Sequence, residues 1–138
     1  MELMEKRTPT RGGPKLVTRE SELPALTLEQ LDALRRFAAF ETRLVDLRRS
    51  LGDLFECDLA SEHRTVETHF RVPEPGIVIT RKHIAGALEQ KRRGTITERD
   101  LVHWATILLM NDAYVLDPGD QDMIADWLND ISLNLDAT

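Results

Sequence analysis

The chain has 138 residues, a formal charge of −6, 41% hydrophobic residues and a single cysteine. That length suits one domain with a core able to form without metals or disulfides. One cysteine, Cys57, excludes an internal bridge, and the opening MELMEKRTPT lacks the apolar run of a leader, so a cytoplasmic protein is expected. No stretch approaches the roughly 20 apolar residues of a membrane span.

The charge is unevenly placed. Residues 95–138 hold nine acids and one base, a net of −8, so the first 94 residues carry +2. Such a dipole steers partners, and its acidic end suits a basic protein surface better than nucleic acid or anionic lipid.

Residues 1–26 contain Pro9, Pro14 and Pro24, a Gly12-Gly13 pair and scattered charges without apolar periodicity, which predicts a flexible arm. The remainder, 27–138, reads as a single all-α domain, a small bundle of four to five helices with one long irregular connection. Its first helix begins at Thr27, because Thr27-Leu28-Glu29-Gln30 is a capping box. Phe37, Phe40, Leu44, Leu47, Leu51 and Leu54 then recur in steps of three and four, a heptad seam. Unbroken to Glu56, this helix spans about 45 Å. Two readings follow: a break near Ala38-Ala39 or Gly52 gives two helices packed within the chain, and a continuous helix offers a seam for a homodimer.

From Cys57 to Gly76 the periodicity fails, and Val72-Pro73-Glu74-Pro75-Gly76 excludes a helix interior, so this stretch is expected to be a connection. Ile77-Val78-Ile79 is β-branched, but a lone strand lacks a partner; extended chain covering the core is expected. Thr80 caps a second helix with Ile84, Ala87 and Leu88 on its buried face, ending at Gly94 after Lys91-Arg92-Arg93. Thr97 caps a third that is apolar nearly all round through Met110 and therefore central. After the Asp117-Pro118-Gly119-Asp120 turn, Met123, Ile124, Trp127, Leu128 and Ile131 mark a fourth. Trp104 and Trp127 are then expected near each other in a C-terminal helical hairpin.

Chemical motifs are sparse. His63 and His69, with Cys57 and Glu67 nearby, invite a metal reading, but paired ligand spacing is missing, so neither metal nor other cofactor is expected. His83 and His103 have no nucleophile or orienting acid assignable from sequence. In Asp117–Asp122 the glycine is misplaced for a calcium loop and no glutamate closes it. Phosphate-binding loops, nucleophile elbows and His-Glu-x-x-His helices do not occur. A non-enzymatic role is expected.

Two charged sets stand out. Asp122, Asp126 and Asp130 fall at i, i+4 and i+8, an acidic ridge that costs a helix roughly 0.2–0.5 kcal/mol per like-charged pair. With Asp117 and Asp120 they form the expected protein-binding surface. Arg81, Lys82, Lys91, Arg92 and Arg93 flank the second helix, and phosphate contact by them and the N-terminal arm, in a nucleic-acid-associated regulator, is the alternative reading, beside a homo-oligomeric structural subunit joined through the heptad seam. The helix that would have to enter a DNA groove carries Glu98 and Asp100, which makes nucleic acid an unfavoured partner.

Ile79-Thr80-Arg81-Lys82-His83-Ile84 through Ala87-Leu88, then Gly94–Leu101 and Trp104-Ala105, resemble the capped helical hairpin of small acidic bacterial immunity-type proteins. The resemblance implies a compact acidic protein that neutralises a partner toxin, often a basic nuclease, by occupying its substrate-binding surface. The N-terminal arm and the heptad helix depart from that pattern.

Overall fold

The computed structural model describes residues 23–60 and 63–133. Their elements run α1 (Leu28–Ala38), α2 (Leu44–Leu51), a 3-10 turn (Gly52–Leu54), β1 (Phe55–Asp58), β2 (Thr65–Thr68), β3 (Ile77–Ile79), α3 (Arg81–Arg93), α4 (Glu98–Met110), β4 (Tyr114–Leu116) and α5 (Gln121–Ser132). The expectation of an all-α bundle is therefore corrected: four short strands in two two-stranded sheets accompany five helices, a mixed helix and sheet fold. The arm expected over 1–26 lies outside the described residues up to position 22.

The heptad stretch is two helices. α1 closes with the Glu41 N–H donating to the Arg36 carbonyl (2.8 Å) and the Phe40 N–H to that of Phe37 (3.0 Å), the paired bonds of a Schellman motif. Its left-handed residue is Phe40, at φ 58°, where glycine is usual. The same motif ends α3, with Thr95 donating to Gln90 and Gly94 to Lys91, and there the left-handed residue is Gly94, at φ 81°. In the first case a ring contact opposes the backbone cost, since Phe40 stacks on Trp104 with centroids 5.1 Å apart. Phe37, Leu47 and Leu51 are buried, and Phe40, Leu44 and Leu54 pack partly buried against the same core. All six seam side chains thus turn into the chain's own interior.

The long connection expected over Cys57–Gly76 contains half of a hairpin. β1 and β2 pair antiparallel with Phe55 opposite Thr68, Glu56 opposite Glu67 and Cys57 opposite Val66. Phe55, Cys57 and Val66 face the core while Glu56 and Glu67 are exposed, a period of two that marks a half-buried strand. Ile77–Ile79 is likewise a strand, not partnerless chain. It pairs parallel with β4, Ile77 opposite Tyr114 and Ile79 opposite Leu116, across a crossover made of α3 and α4.

The third helix is central, as its composition predicts. Leu101, Val102, Trp104, Ala105, Thr106, Ile107 and Leu108 of α4 are buried, and α5 packs along it through Ile124 and Leu128. Trp104 donates its indole N–H to the Ala38 carbonyl at 3.0 Å, satisfying one of the free carbonyls at the end of α1. Leu88, expected on the buried face of α3, is instead 46% exposed, and Trp127 of α5 is 39% exposed. The tryptophans have different settings, one in the interior and one at the surface.

Candidate functional site

α3 and α5 diverge enough to leave a groove of about 510 Å³ between them. Its lining includes Ile84, Ala85, Leu88, Trp127 and Ile131, with Arg81, Lys82 and Asp130 at the rim. A second hollow bounded by Leu88, Asp130 and Ile131 continues it toward Val102 and Glu98 on α4. Ala85 and Leu88 of α3 line the groove without covering the Trp127 ring, and Leu88 and Trp127 both stay exposed.

The acidic residues do not act as one set. Asp120 pairs with Arg81 at 3.1 Å, joining the starts of α5 and α3. Asp117 accepts the Gly119 N–H at 3.2 Å within the turn. Both are thereby committed to structure. Asp122, Asp126 and Asp130 are exposed and, among the described residues, make no ion pair. Asp130 alone of the three reaches the groove.

The basic set is largely neutralised inside the chain. Arg81 meets Asp120, Lys91 meets Glu98 at 2.7 Å across the α3–α4 turn, and Arg92 and Arg93 both grip Glu89. Hydrogen bonds from those two guanidinium groups hold the Glu89 carboxyl below its ordinary range. Lys82 is the member without an ion pair among the described residues. Sequence spacing could not show these pairings where they join different helices, because the two partners come from separate elements.

The histidines divide in the same way. His69 Nε2 lies 3.2 Å from Glu56 and 3.9 Å from Glu67. Glu56 and Glu67 stand opposite each other on the ladder, where like charges are unfavourable. These three are the donors close enough to share a cation among the described residues, all of them exposed; Glu56 was missed because it read as a helix end. His63 and Cys57 do not join them. Burial pushes the Cys57 thiol up, with Arg48 opposing and Asp58 adding to the rise, and its side chain packs partly buried against the core.

No family model, no curated protein and no solved structure matches this chain. Among the described residues no helix is long and apolar enough to cross a membrane. Trp127 stands uncovered among the aliphatic groups of the groove, with Asp130 at its rim.

Proposed function

We propose that this chain is a non-enzymatic, cytoplasmic protein-binding module whose contact surface is the α3–α5 groove with the adjoining Asp122, Asp126 and Asp130. The observation that supports it most is the exposed Trp127 on an apolar floor next to Asp130. An apolar side chain of the partner fills the groove over Trp127 and Leu88, and basic residues around it meet the three carboxylates. This places specificity in the anchor and encounter rate in the charge. The immunity-type resemblance fits such a binder, one that covers a basic surface of its target. Phosphate contact by the 81–93 cluster is disfavoured by the internal pairing of Arg81, Lys91, Arg92 and Arg93.

The test is affinity capture at low and high salt with the wild-type chain, a triple Asp122→Lys, Asp126→Lys, Asp130→Lys variant, and Trp127→Ser. The expected result is a partner held by the wild type at low salt, weakened by high salt, and lost from both variants. Equal retention by all three would overturn the surface assignment. A salt-stable dimer of the wild type by light scattering would instead make a second copy the occupant.

A further inference from the structure

A second cleft lies between the α1–α2 corner and the first turns of α4, sharing no residue with the α3–α5 groove. Its volume is about 350 Å³, toward the lower end of the roughly 300–1,000 Å³ of small-molecule sites. Its apolar wall is Phe37, Phe40 and Trp104. Phe40 is held left-handed at φ 58° with its ring on Trp104, and backbone conformations of this cost concentrate at ligand clamps.

The polar groups converging there have unspent bonding capacity. Thr42 Oγ1 is buried without a partner among the described residues, at a cost a ligand would remove. Asp100 gives one carboxylate oxygen to the Thr97 N–H at 3.0 Å, and among the described residues its other oxygen has no partner. Glu41 bonds through its backbone N–H, toward Arg36, and among the described residues its carboxylate makes no ion pair. Burial chiefly, with Arg99 and Arg64 adding and Asp100 opposing, keeps the His103 imidazole below its ordinary value. It is therefore neutral near pH 7, offering one donor and one acceptor. Asp46 is committed to Arg49 at 3.3 Å, so Glu41 and Asp100 are the lining carboxylates without an ion pair among the described residues, against the one lining guanidinium, Arg43.

The geometry points to a binding site for a small organic cation, an ammonium or guanidinium group carried on an apolar body. The cationic group faces Glu41 and Asp100, Thr42 and His103 complete its hydrogen bonds, and the apolar body rests on Phe40. A lysine side chain of a partner protein presents the same cation, but would leave much of the cleft unfilled, so a free molecule is the occupant.

The test follows the two indole N–H signals of the full chain by NMR, with Trp127→Phe assigning the Trp104 signal. Phenethylammonium is titrated as the probe, 3-phenylpropionate as the like-shaped anion, and a short capped lysine peptide as the protein-borne cation. A saturable shift of the Trp104 signal with phenethylammonium alone is expected. Glu41→Gln, an exposed change that leaves the fold intact, is expected to weaken it about three- to fivefold. Thr42→Val is expected to weaken it as well without lowering the melting temperature. Absence of a saturable shift, an equal response to the anion, tighter binding of the lysine peptide, or unchanged affinity in Glu41→Gln would each overturn the proposal.

Discussion

His83 occupies the third position of a capping box that usually ends in a carboxylate or carboxamide. Its Nδ1 accepts the Thr80 N–H at 3.0 Å, which requires that nitrogen to be unprotonated. Burial lowers the imidazole below its ordinary value of 6.5, and His103 is shifted the same way. Between the folded and unfolded values the unfolded chain binds more protons. The stability these two residues contribute is thus complete above about pH 6.5 and is lost as pH falls through their folded values. Denaturant titrations across this range are expected to show that slope, and His83→Gln, which keeps an acceptor and removes a titration, to flatten it. Tyr114 is more deeply buried than either histidine. Burial drives its phenol far up, and its hydroxyl donates to the Leu34 carbonyl at 2.7 Å. Tyr114→Phe is expected to cost about 1 kcal/mol by thermal melting, with no change in pH dependence.

The helix ends separate what local chemistry encodes from what it does not. Thr27, Thr80 and Thr97 each accept a hydrogen bond from a backbone N–H of the first turn, and each was legible because a cap and its partner lie within three residues. Gly94 was legible for the same reason. The end of α1 was legible only as one of two readings, a break near Ala38-Ala39, because phenylalanine carries no signal for a left-handed position; the Trp104 ring that stacks on it there lies 64 residues away in sequence. Phe40→Ala is therefore expected to destabilise by roughly 2 kcal/mol, through lost stacking and packing. In α5 the three exposed aspartates lack any basic residue in the last turn, and Asp130 sits at the end where the helix dipole favours a cation. Asp130→Lys is expected to stabilise the chain by about 0.3–1 kcal/mol in denaturant titrations while weakening partner capture. A gain in stability with no loss of capture would mark the ridge as a solubilising face.

Across the whole molecule, the hairpin is tied to the helices by one half-buried guanidinium. Arg64 donates to Thr106 Oγ1 at 3.1 Å and to the Ser132 carbonyl at 2.7 Å, joining the β1–β2 loop to the middle of α4 and the end of α5. Arg64→Met is expected to lower stability by about 1–3 kcal/mol and to speed amide exchange in β1 and β2 before α4. Nothing in the sequence around Arg64 distinguishes it from a solvated loop cation. The β3–β4 pair was hidden for a related reason. Ile77–Ile79 was visible as an extended run, but its partner lies beyond two helices, and Tyr114-Val115-Leu116 is too short to announce a strand.

The sequence by itself determined the starts of α1, α3, α4 and α5, the close of α3, the centrality of α4 and the exposure of the α5 carboxylates. Each depends on residues within one or two turns of one another or on overall apolar content. Only the tertiary structure decided the two sheets, the break after Ala38, the internal pairing of the basic cluster, and the two clefts. Those depend on free energies gained between residues distant in the chain, where burial and Coulomb attraction are set by separation in space rather than in sequence.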